Sequence, residues 1–221
     1  MARVSDDKFW NKDIRLGDHV ASIYQNKEQQ FEVLMPFFIE GLKLNQKCVY
    51  VYDENTKEEI ISEFEKAGIE INLYLKSGQL ELFESREMYL DEGKFQPEKM
   101  LEKIEAMEKR AFEEGFWGLR GSGEMGISLE GKVDEIELID YESRINEFLV
   151  GRKITLICQY NENKVSHKIL NNVIRTHPFV IVYGKIYENK YFYTAPEYME
   201  RGSHYLPEEE YKTIIDTIIT E

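Results

Sequence analysis

Strands and helices that alternate along almost the whole chain predict an α/β fold: a mostly parallel central sheet flanked by helices on both faces. Short apolar runs rich in β-branched residues recur along it. One of them, Ile154-Thr155-Leu156-Ile157-Cys158-Gln159-Tyr160, is apolar on both sides, as a strand covered on both faces must be. Between the runs, apolar residues fall at three-to-four spacing, the period of an amphipathic helix. With 42% hydrophobic and 13% aromatic residues, the 221-residue chain has enough apolar surface for a sizeable core. No linker, repeat or low-complexity segment divides it. The expected organisation is a polar lead-in over 1–15, one domain over 16–206, and a C-terminal helix over 207–221.

Each element has a local reason. Leu16-Gly17-Asp18 turns into a first strand, His19-Val20-Ala21-Ser22-Ile23-Tyr24. The following helix sets Phe31, Leu34, Met35, Phe38 and Leu42 on one face; Pro36 should kink it or mark its true start. After a second strand over 48–54, Asn55 or Thr56 caps a helix that Gly68 stops. Gly78 leads into a short strand over 79–83. Pro97 opens a helix carrying Met100, Leu101, Ile104, Met107, Ala111 and Phe112 on one side. A strand is expected over 116–120, with a glycine-rich loop after it over 121–126. A helix over 133–149 closes at Gly151, and Ser166 caps a short helix to about Arg175. Residues 179–183 read as a buried strand, residues 186–192 as a hairpin turning at Glu188-Asn189, and Pro207 starts the last helix.

The stretch Asn26-Lys27-Glu28-Gln29-Gln30 is informative for what it lacks. Strand, loop, helix, strand is how a nucleoside-triphosphatase core opens. Its loop should be glycine-rich and end in Gly-Lys-Ser/Thr, so that backbone N–H groups cradle phosphates and a hydroxyl holds magnesium. Here there is no glycine and no hydroxyl. Gly93-Lys94, Gly131-Lys132 and Gly184-Lys185 are not followed by Ser or Thr either. The scaffold resembles an ATPase core without its phosphate chemistry, which points to binding or sensing.

The formal charge is −14 and no basic stripe of a nucleic-acid binder is visible, and acidic groups such as Glu208-Glu209-Glu210 read as solvated surface. No run approaches the ~18 apolar residues of a membrane helix. The first residues carry no apolar secretion signal, so a cytoplasmic, soluble protein is expected. Cys48 and Cys158 lie in apolar strand runs, too far apart for a metal knuckle; buried free thiols are the expectation and a redox pair the sharper alternative. The four histidines, His19, His167, His177 and His204, show no i, i+4 pair, so no metal site is assigned. Arg175-Thr176-His177-Pro178 reads as a helix end, with positive groups against the dipole.

Gly121-Ser122-Gly123-Glu124-Met125-Gly126 has the Gly-x-Gly-x-x-Gly form, but Ile127-Ser128-Leu129-Glu130-Gly131 separates it from the next helix, and the strand after that helix ends in Gln159 rather than an acid. A dinucleotide site is therefore not expected. The loop either brings backbone close to a ligand or is a tight turn. In an open parallel sheet ligands bind outside the carboxyl ends of the strands. That rule nominates His19, Tyr24, Asp53, Arg120, Glu124 and Tyr160 as ligand-binding residues, with Glu124 foremost because a carboxylate framed by glycines has little reason to pack in a core. His19, early in its strand, could instead be buried. No catalytic residue and no cofactor is assigned.

These residues also carry a family resemblance. Gly17-Asp18-His19-Val20 with Ile23-Tyr24, Pro36-Phe37 with Gly41-Leu42, Lys47-Cys48-Val49-Tyr50-Val51, and Gly78-Gln79-Leu80 are the first matching segments. Tyr89-Leu90 with Gly93-Lys94-Phe95, Gly118-Leu119-Arg120 with Gly123-Glu124-Met125, Tyr141-Glu142 with Asn146, Cys158-Gln159-Tyr160 and Arg175-Thr176-His177-Pro178 complete them. In that order, over about residues 18–193, they resemble the MEDS (methanogen/methylotroph sensory) domain. The resemblance implies a RecA-like fold of the circadian-clock ATPase type with its phosphate loop lost, to which the residue pattern adds a C-terminal hairpin and helix. It also implies a non-catalytic sensor of a small organic ligand, with hydrocarbon derivatives and C1-metabolism compounds the candidates, and a histidine kinase or transcription regulator as partner. A homodimer is left open. Where the family carries an aromatic residue two positions past Met125, this chain has Ile127. The alternatives are an ATPase-like nucleotide binder with an unconventional phosphate site, and a thiol redox sensor.

Overall fold

The computed structural model describes residues 14–126, 133–194, 196–197 and 208–220. In chain order the elements are β1 (His19–Tyr24), α1 (Lys27–Lys43), β2 (Lys47–Tyr52), α2 (Lys57–Lys66), α3 (Ile71–Ser77), β3 (Leu80–Glu84) and α4 (Ser85–Tyr89). There follow β4 (Leu90–Asp91), β5 (Lys94–Phe95), α5 (Pro97–Glu113), β6 (Leu119–Glu124), α6 (Glu135–Phe148), β7 (Ile154–Asn161), α7 (His167–Thr176), β8 (Phe179–Val182), β9 (Lys185–Glu188) and α8 (Glu208–Thr220). Seven strands form one sheet in the order β3-β2-β6-β7-β1-β8-β9. All neighbours in it are parallel except β9, which runs antiparallel to β8. The fold is the α/β class that the alternation predicts.

Strand alternation sorts the core into two layers. Val20, Cys48, Tyr50, Leu80, Ile157 and Ile181 face α1, α2 and α3. Ala21, Ile23, Val49, Val51, Leu156, Cys158, Val180 and Val182 face α5, α6, α7 and α8. From β1 the chain crosses to β2, returns through β6 and β7, and then passes β1 to reach β8. The switch point of the topology therefore lies between β1 and β7.

Helix boundaries follow their caps. Asn26 accepts from Gln29 N, Thr56 and Glu59 form a capping box, Asp134 accepts from Ile136 N and Glu137 N, and Ser166 accepts from Ile169 N. Pro97 occupies the first turn of α5. Helix α1 starts at Lys27 rather than at Pro36 and runs through the proline. Burial of Phe31, Leu34, Phe37 and Phe38 outweighs the ~3 kcal/mol a proline costs a helix interior.

Two expectations are corrected. The hairpin turns at Tyr183-Gly184 between β8 and β9, not at Glu188-Asn189: φ is +49° and +87° at the turn residues, the paired positive angles of a tight hairpin. Asn189 is spent elsewhere, its side-chain amide bonding the carbonyls of Ile174 and His177. The strand expected over 116–120 runs instead from Leu119 to Glu124, so Gly121 and Gly123 are strand residues and not a loop. Helices α3 and α4 have no counterpart in the sequence expectation. Pro207 and Ile127 lie outside the described residues. No helix among the described residues is long and apolar enough to cross a membrane.

Candidate functional site

The glycines of β6 face the α5–α6 layer. A Cβ at Gly121 would stand 2.8 Å from Leu156 Cδ2, and one at Gly123 only 1.9 Å from the Tyr89 hydroxyl. Bare backbone lets the short helix α4 lean its Tyr89 against the sheet. Beside it lies a cavity of about 50 Å³ between the glycine floor and α4, α5 and α6. Met88, Met100, Met107 and Ile104 supply apolar, adaptable walls, and Tyr89, Tyr141 and Cys158 bring polar groups to them. Burial pushes both tyrosine hydroxyls and the Cys158 thiol well above their ordinary pKa, so all three stay protonated donors at neutral pH.

Behind Cys158 on the same face, four groups from four elements converge: His19 of β1, Glu142 of α6, Cys158 of β7 and His177 just after α7. Their ligand-type atoms all lie within 4.8 Å of one another, and all four residues are buried. Tyr160 donates to Glu142 Oε1 at 2.8 Å. Burial and the neighbouring His177 pull His19 down from 6.5 to about 4. Because the folded pKa of His19 is depressed, its contribution to stability is present above pH 6.5 and lost as pH falls toward 4. At about 1.4 kcal/mol per unit, this amounts to about 3 kcal/mol. Urea unfolding followed from pH 7 to pH 4 should show this loss, and His19→Gln should flatten it.

The other sheet face holds Glu124 at the carboxyl end of β6. It is fully buried and accepts six hydrogen bonds. Tyr50 Oη (2.6 Å), Asn55 Nδ2 (2.6 Å) and Gln30 Nε2 (3.3 Å) donate to Oε1. The backbone N–H groups of Asp53 (2.8 Å), Glu54 (2.5 Å) and Asn55 (3.2 Å) donate to Oε2. Asp53 accepts from the Ser85 hydroxyl at 2.5 Å, and a Cβ at Gly126 would stand 2.2 Å from its Oδ2. All three glycines of the Gly-x-Gly-x-x-Gly stretch thus permit close packing within the fold. Burial, then Glu54, Glu124 and Asp53, raise the pKa of Tyr24. Arg120 lies deeper on this face, donating to Gln46 Oε1 (2.7 Å), the Phe37 carbonyl (2.9 Å) and Glu40 (3.2 Å), with its guanidinium 4.7 Å from the Phe37 ring.

The six nominated residues are therefore divided by the sheet. Tyr24, Arg120 and Glu124 lie on the α1 side, and Asp53 follows β2 at the carboxyl edge, its side chain on Ser85 of α4. His19 and Tyr160 lie on the other, joined by Glu142, Cys158 and His177, which no motif spacing announced. His177 combined two signals: a helix end, which it is, and a ligand-type side chain next to a proline. The cavity residues read as ordinary amphipathic spacing.

The connection from β1 to α1 is two residues, Gln25 and Asn26. Gln25 N donates to Gln29 Oε1 (2.8 Å) and Gln29 N to Asn26 Oδ1 (3.0 Å), so side chains occupy the helix N-terminus. The Gln25 amide also donates to Glu162 (2.8 Å). Carboxylates of Asp53, Glu54 and Glu124 act on the adjoining Tyr24, a poor setting for phosphates.

Cys48 and Cys158 face opposite sides of the sheet, from β2 and β7, with β6 between them. No disulfide can join them in the folded chain. Burial pushes Cys48 up to about 12. Neither thiol should react with a maleimide within an hour in native buffer, and both should react in urea; native labelling would overturn this.

A family model described as MEDS, "MEthanogen/methylotroph, DcmR Sensory domain", matches residues 18–178. Among solved structures, the flagellar accessory protein FlaH from Methanocaldococcus jannaschii aligns with a TM-score of 0.53 at 20% identity, covering 76% of this chain and 72% of its own. A KaiC-like protein, PH0186, from Pyrococcus horikoshii OT3 aligns with a TM-score of 0.53 at 14% identity, covering 75% and 70%. These likenesses show a RecA-like fold. No curated protein matches the chain.

Proposed function

Because the chain belongs to the MEDS family of sensory domains, we propose that it is a non-catalytic sensor whose small organic ligand enters the chamber between the β6 glycines and helices α4, α5 and α6. The observation that carries this is the cavity itself, about 50 Å³ against the bare backbone of Gly121 and Gly123 and walled mainly by apolar side chains of α4 and α5. At the ~30 Å³ a water occupies in the liquid, a volume of about 50 Å³ suits a molecule of only a few non-hydrogen atoms. Methionine walls accommodate variation, while the tyrosine hydroxyls and the thiol offer directed polar contacts. Hydrocarbon derivatives of one to three carbons are the ligand class that fits.

Output leaves through the C-terminal helix. Tyr211 of α8 stacks on His167 of α7 (centroids 4.6 Å apart) and donates to Glu162 at 2.9 Å. The other end of α7 meets the buried His19–Glu142–His177 group, so α7 links the chamber's surroundings to α8. A cytoplasmic histidine kinase or transcription regulator, or a second copy of the chain, would read its position.

A thermal-shift panel of short alcohols, thiols and halocarbons tests the reading. At least one class should raise the melting temperature, and Ile104→Phe, which fills the chamber, should abolish the response. A response retained in the folded Ile104→Phe protein would place the ligand elsewhere. Non-catalytic character rests on the occupied N-terminus of α1. Calorimetry should find no magnesium-dependent ATP binding at micromolar concentrations, and a saturable, chelator-sensitive isotherm would revive the nucleotide alternative.

A further inference from the structure

We propose that His19, Glu142, Cys158 and His177 together bind one divalent transition-metal ion, zinc by their ligand chemistry. Four measured separations among the converging atoms are 3.2 Å (His19 Nε2 to Glu142 Oε2), 3.4 Å (His177 Nε2 to Glu142 Oε2), 3.4 Å (Cys158 Sγ to His19 Nε2) and 3.5 Å (Cys158 Sγ to Glu142 Oε2). Ligands at ~2.0–2.3 Å from a tetrahedral zinc stand roughly 3.3–3.7 Å from one another.

The surrounding hydrogen bonds fix the protons on the wrong side for any other partner. Asn146 donates its amide N–H to the Thr176 carbonyl (2.7 Å), which turns its Oδ1 toward His19 Nδ1 at 3.2 Å. His19 must therefore carry its proton on Nδ1, and its Nε2 offers a lone pair to the cluster. His177 Nδ1 faces the Val173 carbonyl at 2.8 Å, so it too is the protonated nitrogen. Its Nε2 is buried and has no hydrogen-bond partner. Glu142 Oε1 is occupied by the Tyr160 hydroxyl, which leaves Oε2 for the centre. Two imidazole nitrogens, a carboxylate oxygen and a sulfur thus aim electron pairs at one buried point. The thiol proton can satisfy one of these acceptors; a cation satisfies all of them. Histidines that donate their remote N–H to carbonyl oxygens while the other nitrogen points inward are the usual outer shell of a metal site.

Nitrogen, sulfur and oxygen in a two-one-one set suit zinc over magnesium or calcium. Cys158 binds as thiolate, its proton leaving to solvent on loading. The imidazole rings now stand 3.9 Å apart at centroids, 32° from parallel; two imidazoles on a tetrahedral ion splay wider, so loading opens the pair. This inference is independent of the ligand chamber, although Cys158 borders both.

The full chain, purified under reducing conditions without an affinity tag, should contain about one zinc per molecule by elemental mass spectrometry, or take it up after chelator treatment. Cobalt(II) titrated into the chelator-treated protein should give a near-ultraviolet thiolate-to-cobalt charge-transfer band that saturates at one equivalent. Cys158→Ser should abolish that band, and His177→Gln should weaken cobalt affinity by about 10-fold or more. Wild-type protein that shows no charge-transfer band overturns the proposal, whatever the variants do. So does zinc uptake that Cys158→Ser and His177→Gln leave unchanged, which would assign the metal to surface carboxylates.

Discussion

Replacing Glu124 by Ala is expected to lower the unfolding free energy by about 4 kcal/mol or more, a loss among the largest single substitutions produce. Six donors converge on this carboxylate, three to each oxygen. Its removal strands the Tyr50 hydroxyl, the side-chain amides of Gln30 and Asn55, and three backbone N–H groups at the end of β2. Each buried donor left without a partner costs about 1–3 kcal/mol, and partial relaxation keeps the total below the sum. Glu124→Gln keeps the shape, but whichever oxygen becomes NH₂ then faces three donors, and about 3 kcal/mol should still be lost. In a chain of this size either change should lower the melting temperature by roughly 6–16 °C. Urea unfolding monitored by circular dichroism measures it. Glu124→Gln within 0.5 kcal/mol of wild type would show that the hub is not needed for stability. The sheet separates Glu124 from the chamber, so folded Glu124→Gln should keep its response to small organic probes. A tenfold affinity loss with stability intact would return the ligand to the carboxyl edge, where the sequence reading placed it.

Gly123→Ala is the second large effect. The added Cβ would stand 1.9 Å from the Tyr89 hydroxyl and 3.2 Å from its Cζ. Tyr89 is buried and belongs to α4, so it can yield only by moving that helix or leaving the core. Overpacking of this kind costs about 1–3 kcal/mol, and here about 3 is expected. Probe binding in the chamber should fall with it. Tyr89→Phe removes the clashing oxygen while keeping the ring. The double variant should therefore recover most of the loss, giving a coupling energy of about 2 kcal/mol in a double-mutant cycle. Additive behaviour would mean that Tyr89 and Gly123 do not press on each other in solution.

The fold was readable in the sequence because its cues are local. Caps at Thr56 and Ser166, the proline at position 97 and the β-branched run of β7 act within a few residues of where they stand. The β6 boundary misled because glycines are poor strand formers; at Gly121 and Gly123 the tertiary contacts with Leu156 and Tyr89 override propensity. Tyr183-Gly184 carries one glycine and one residue that rarely takes positive φ, so its turn signal was weaker than that of Glu188-Asn189. The nominated residues sit at strand ends, yet sequence does not state which sheet face each side chain takes. Moving the end of β6 from residue 120 to Glu124 turns Glu124 from a loop residue into a buried strand end. His19, Glu142, Cys158 and His177 come from four separate elements, and only the folded sheet brings them together.

The two-residue turn at Gln25-Asn26 sets how far this chain lies from nucleotide chemistry in mutational steps. A phosphate-binding loop spans about eight residues, because its backbone must arch around the anion before the helix begins. Point substitutions can place a lysine and a threonine near Asn26, but they cannot lengthen the arch. Conversion to a triphosphatase would demand an insertion together with release of the Asn26 cap, and each change alone weakens the start of α1 and gains nothing. Substitutions that accumulate one at a time therefore leave the RecA-like frame without a phosphate arch at this turn.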